Sequence, residues 1–157
     1  MNARTGYLSG VAVVLVVAVG AAQPKPNFSG TWKKVEPQKQ SSAVHVERIE
    51  LRGAVLKTTF DGSDPGTPLG ATYHYSRSYT IGAPEQTMQD KDGRVRGVTV
   101  TWDGPSLLII TTARAGAYIT TQREVWSLSE DGTRLTKSRV DTSPQGTVST
   151  RTVYERQ

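Results

Sequence analysis

The chain has no cysteine, so neither a disulfide framework nor a thiolate metal site can hold it together. An exported protein would usually be allowed disulfides, and this one must rely on its core. Only two histidines occur, His45 and His74, and they do not form a His-x-x-x-His pair, which argues against the usual kind of zinc site. No serine sits in a Gly-x-Ser-x-Gly setting, so the nucleophile-elbow hydrolases are set aside. There is no block of five like charges, and Lys33-Lys34 is the only basic doublet. The net charge of +5 is therefore spread over a solvated surface and does not form a nucleic-acid footprint. No segment carries helical periodicity. No motif asks for a cofactor, and the reading is of a protein that is not an enzyme.

What is present begins with a leader. Arg4 supplies a positive n-region, Val11 to Val19 an apolar h-region, and Gly20-Ala21-Ala22 small residues suited to cleavage. The apolar run is short for a transmembrane helix, which argues against a stable membrane anchor. The expectation is a signal peptide over 1–22 and a domain over 23–157, periplasmic or secreted. Removing 22 of the 157 residues leaves 135, enough for one core.

The rest reads as short strands separated by turns. Strands are expected near 28–35, 44–51, 54–60, 71–81, 86–89, 94–102, 106–112, 117–128, 133–142 and 147–156. In the second of these, Val46 and Ile49 fall on opposite faces, so a bulge or a late start is expected. The run Leu107 to Ile110 reads as covered on both faces. Ten residues, 61–70, read as a loop, and Asp-Gly and Gly-Pro pairs mark other turns. Asp61-Gly62-Ser63-Asp64 and Asp90-Lys91-Asp92-Gly93 resemble starts of calcium loops, but neither runs on to the acidic ligand such a loop needs, and turn chemistry explains them. Strands joined by short connections pair in chain order, which favours an all-β, antiparallel up-and-down barrel of about 8–10 strands with little or no helix over a sandwich.

At Phe28-Ser29-Gly30-Thr31-Trp32 the chain resembles the lipocalin-like, or calycin, superfamily, whose first strand carries Gly-x-Trp. Thr101-Trp102-Asp103-Gly104, Glu124 to Gly132, Leu135-Thr136, Pro144-Gln145-Gly146 and Val153-Tyr154-Glu155 look like a group of small exported bacterial proteins of uncharacterised function. The resemblance covers nearly all of the mature chain and implies a barrel. It departs from lipocalins in lacking an amphipathic helix beside the barrel. Gly30 is expected to let the backbone pass close to a neighbour. Trp32, Trp102 and Trp126 are expected to plug one end, with the loops 36–43 and 61–70 at the other.

Parity then proposes a lumen. Taking Trp102 and Trp126 as inward, Arg96, Arg94, Glu124, Gln122 and Tyr118 share their faces, and the aromatic character of Tyr73, Tyr75, Arg77 and Tyr79 adds a further wall. The candidate ligand-binding set is Tyr73, Tyr75, Arg77, Arg96, Tyr118, Gln122 and Glu124. A buried Glu124 would need a cation, with Arg96, Arg77 and Arg151 as candidates. Such a lumen suits a small amphipathic ligand with a polar head. The alternative is a filled barrel that serves the cell envelope as a structural or interaction module.

Overall fold

The computed structural model describes residues 24–35, 44–64, 71–89 and 95–157. The expected leader over 1–22, Asp90-Lys91-Asp92-Gly93 and Arg94 lie outside the described residues. Ten strands form one antiparallel sheet: β1 (Gly30–Lys34), β2 (Val44–Arg52), β3 (Val55–Asp64), β4 (Ala71–Thr80), β5 (Gln86–Gln89), β6 (Val95–Asp103), β7 (Ser106–Ala115), β8 (Tyr118–Leu128), β9 (Arg134–Ser143) and β10 (Gly146–Arg156). Their order is β4-β3-β2-β1-β10-β9-β8-β7-β6-β5, so each strand pairs with its chain neighbours and β1 meets β10. The result is a nearly closed barrel, all-β, with no helix among the described residues. Its one seam lies between β4 and β5, the two edges of the sheet.

Alternation builds this sheet. In β9, Leu135 and Lys137 are buried while Arg134 is exposed; in β6, Val98 and Val100 are buried while Thr101 is exposed. Fully buried residues such as Ile49, Leu56, Leu107 and Leu135 each contribute roughly 1.5–3 kcal/mol of burial free energy. They gather at the end where β2 turns into β3 and β6 into β7. The open end carries the β7–β8 and β9–β10 hairpins and the strand ends joined by 36–43, 65–70 and 90–94.

Three expectations are corrected. β2 has no bulge: it pairs with β3 without a break from Val44↔Ser63 to Arg52↔Val55. Its pattern looked irregular because the inward residue two before Ile49 is a glutamate, Glu47, itself 6% exposed. β3 runs on through Asp64, so Asp61 to Asp64 are paired strand residues and not loop. Asp61 accordingly sits opposite His74 and accepts from its Nδ1 at 2.5 Å on the exposed outer face. The run Leu107 to Ile110 is covered on one face only, with Leu107 and Ile109 buried and Leu108 and Ile110 half-buried. A single closed sheet has nothing to lay over its outer surface.

The first strand shows why Gly-x-Trp is needed. Gly30 has φ of +151°, and a Cβ there would stand 3.0 Å from Arg156 Nη1. The room left by the glycine admits the Arg156 guanidinium, which lies over the Trp32 ring at 4.4 Å and donates to Ser29 O at 2.8 Å. Trp32 is fully buried and its Nε1 donates to Phe28 O at 3.0 Å. Phe28 in turn lies 6.1 Å from Trp102 and 6.4 Å from Trp126, ring to ring. The aromatic plug expected at this end is present, with Phe28 as its centre and Trp102 only half-buried.

Candidate functional site

The seam sets the geometry. At the closed end it is stitched: the Gln86 side chain accepts from Thr80 N at 2.8 Å and donates to Thr80 O at 3.0 Å, imitating a strand pair. Gly82 N donates to Val100 O at 2.8 Å just beyond. Toward the open end β4 and β5 are not paired, and a cavity of about 490 Å³ opens there. Tyr73, Tyr75, Arg77 and Tyr79 line it from β4, Met88 and Gln89 from β5, and Arg96 and Val98 from β6. A second cavity of about 370 Å³ occupies the lumen and shares Tyr75, Arg77, Tyr79, Arg96, Thr111 and Gln122 with the first.

The wall running from β2 to β4 beside the seam is a stack of flat groups. Phe60 and Tyr75 lie 5.0 Å apart at 19°, the Arg77 guanidinium covers Tyr75 at 5.0 Å, and His45 lies 5.6 Å from Phe60. Gly62 permits this: a Cβ there would meet the Phe60 ring at 2.8 Å. Burial pushes the Tyr75 and Tyr79 hydroxyl pKa values up, partly offset by the Arg77 charge, so both phenols stay protonated donors at neutral pH.

The lumen floor holds an ion pair. Lys137 Nζ donates to Glu47 Oε2 at 2.5 Å, with both side chains about nine-tenths buried. The same ammonium lies 3.6 Å above the Trp126 ring and 5.2 Å from that of Tyr154. Beside it, Glu124 accepts from the Trp126 indole N–H and, at 3.5 Å, from Gln122 Nε2. Arg139 Nε donates to Asp141 Oδ2 at 2.6 Å near a smaller cavity of about 240 Å³ under the β9 end.

Of the sequence-derived set, Tyr73, Tyr75, Arg77, Arg96 and Gln122 line the seam cavity, and Glu124 lines the lumen with Gln122. Tyr118 lies outside these cavities: it begins β8 at the hairpin tip and is 63% exposed. Its parity is inward, but the strand there rises past the neighbours that would enclose it. Arg151 is on the outer face, because Tyr154, Thr152 and Thr150 take the inward positions of β10. Sequence reasoning missed Glu47, Lys137 and Phe60. Parity from Ile49, Leu135 and Leu56 would have found them, since each lies an even number of residues from a buried aliphatic on its own strand.

No protein-family model matches the chain, and no curated protein matches it. Among solved structures it is similar to a secretory abundant heat soluble protein of Ramazzottius varieornatus, with a TM-score of 0.58 at 14% identity over 83% of this chain and 95% of that one. It is also similar to lipid binding protein 8 of Caenorhabditis elegans, TM-score 0.56 at 14% identity over 83% and 95%. A third likeness is to zebrafish ileal bile acid-binding protein in complex with cholic acid, TM-score 0.55 at 15% identity over 83% and 98%. At these identities the likeness establishes the fold alone, an antiparallel β-barrel.

Proposed function

We propose that this is an exported, non-catalytic lipocalin-like protein that binds a small amphipathic or hydrophobic molecule in its barrel. The observation that carries the reading is the seam cavity of about 490 Å³, which shares six lining residues with the lumen cavity. That two barrels of the same fold are named for lipid and bile-acid binding supports it. The residues proposed to contact the ligand are Tyr73, Tyr75, Arg77, Arg96, Gln122 and Glu124. The sequence of residues 1–22 supports export to the periplasm or medium, with a mature chain starting near Gln23. Native mass spectrometry of protein purified from the exporting host is the test. A co-purified small molecule on a chain that begins near Gln23 is the expected result. A chain without ligand that retains residues 1–22 in a membrane fraction would defeat both halves.

The second reading is an envelope module with a filled barrel. The Glu47–Lys137 pair under Trp126 and Tyr154 favours it, since these groups already occupy the lumen floor.

A further inference from the structure

We propose, resting on the cavity reading above, that the ligand is a compact planar anion: a conjugated ring system bearing one carboxylate or sulfonate. Its ring lies in the seam between β4 and β5, its head points to the lumen, and a long saturated acyl chain is not its counterpart.

The lumen wall argues first. Of the described residues around the inner cavity, only Phe60 and Ile109 have side chains without a polar atom. A methylene placed there strips water from a hydroxyl, amide or charge and returns no hydrogen bond. An alkyl tail would gain little where the protein has set Thr58, Thr111, Gln122, Thr150 and Thr152, whereas a carboxylate or sulfonate can accept from such groups.

The charges argue next. Arg77, Arg96, Lys137 and Arg139 face the inner cavity together with Glu47 and Glu124, and Asp141 pairs with Arg139 beside it. Among the described residues, four cations against three carboxylates leave a formal excess of one positive charge, which one anionic head neutralises. The count is of net charge and does not depend on which arginine meets which acid.

The seam supplies the flat surface. Tyr75 and the Arg77 guanidinium line the seam cavity, Phe60 stacks on Tyr75 from the inner cavity, and Met88 and Val98 stand across the seam. A planar ring presents its face or edge to such rings and to a thioether, where a flexible chain meets them with fewer contacts and a larger loss of rotamer freedom.

The test is a fluorescence titration with 1-anilinonaphthalene-8-sulfonate, followed by displacement with 2-naphthoate, neutral 2-naphthalenemethanol and palmitate. One saturable site is expected, displaced by 2-naphthoate and about tenfold less well by the neutral analogue, which lacks the charge-assisted bonds. Tyr75→Leu keeps an apolar group but loses the flat face; it should weaken the probe about fivefold at an unchanged melting temperature. Should that variant not fold, Met88→Ala on the facing strand reads the same contact. Palmitate displacing the probe better than 2-naphthoate would overturn the ligand class and leave the cavity reading standing. An unchanged affinity in the folded variants would overturn the ring position. No saturable binding of probe or palmitate would overturn both readings.

Discussion

Lys137 and Glu47, ninety residues apart in the chain, meet at 2.5 Å inside the barrel with the ammonium held over Trp126. Both side chains are about nine-tenths buried, so water compensates neither charge to any large extent. Removing one partner from a buried pair leaves an uncompensated charge, which costs about 3–5 kcal/mol. Lys137→Met and Glu47→Gln are each expected to destabilise on that scale, and the double variant by clearly less than the sum. Urea denaturation of the four proteins checks this. Strict additivity would show that the two groups are not coupled.

Arg156, Gly30 and Trp32 form a second unit. Gly30→Ala forces a side chain into a positive-φ position and toward the Arg156 guanidinium. It should destabilise the fold, and Trp32→Ala should cost roughly 3–5 kcal/mol as a packed-core truncation. A denaturant midpoint that scarcely moves in Trp32→Ala would place Trp32 outside the core.

The β8–β9 turn carries a pH-dependent element. Asp131 accepts from Ser129 Oγ at 2.6 Å, from Thr133 N at 3.0 Å and from Thr133 Oγ1 at 2.9 Å. These bonds, that from Ser129 foremost, lower its pKa from 3.8 to about 2. A carboxylate with a depressed folded pKa stabilises fully above its unfolded value, and the gain is lost as pH falls through the folded one. The contribution should be constant above about pH 5 and decline between about pH 4 and 2. Comparing urea midpoints of wild type and Asp131→Asn across that interval checks it, because the asparagine does not titrate. Parallel pH profiles for the two proteins would remove Asp131 as the cause.

Gln86 is expected to govern how far the seam opens. Its amide satisfies both backbone groups of Thr80, so Gln86→Ala removes two hydrogen bonds worth about 0.5–1.5 kcal/mol each when buried, and less at this exposed position. The readout is local. Hydrogen exchange of the Thr80 amide should accelerate while amides in β9 keep their protection. Unchanged exchange at Thr80 would mean that the strand edge is held by something other than Gln86.

The sequence by itself determined the architecture. Period-two alternation from Trp102 and Trp126 was enough to put Arg96, Gln122 and Glu124 on the inner face, because a closed sheet without bulges preserves parity along each strand. Short turns between the strands likewise determined that neighbours pair in order. What parity cannot state is height along the barrel: Tyr118 obeys it and still ends up exposed at a hairpin tip. It also cannot state which strands come face to face across the lumen. The pairing of Glu47 with Lys137 and the lodging of Arg156 against Gly30 and Trp32 depend on closing β1 onto β10. The seam between β4 and β5, and with it the cavity, was likewise decided by tertiary structure. Closure leaves one pair of edges over, and β5, at four residues, is too short to match the ten of β4.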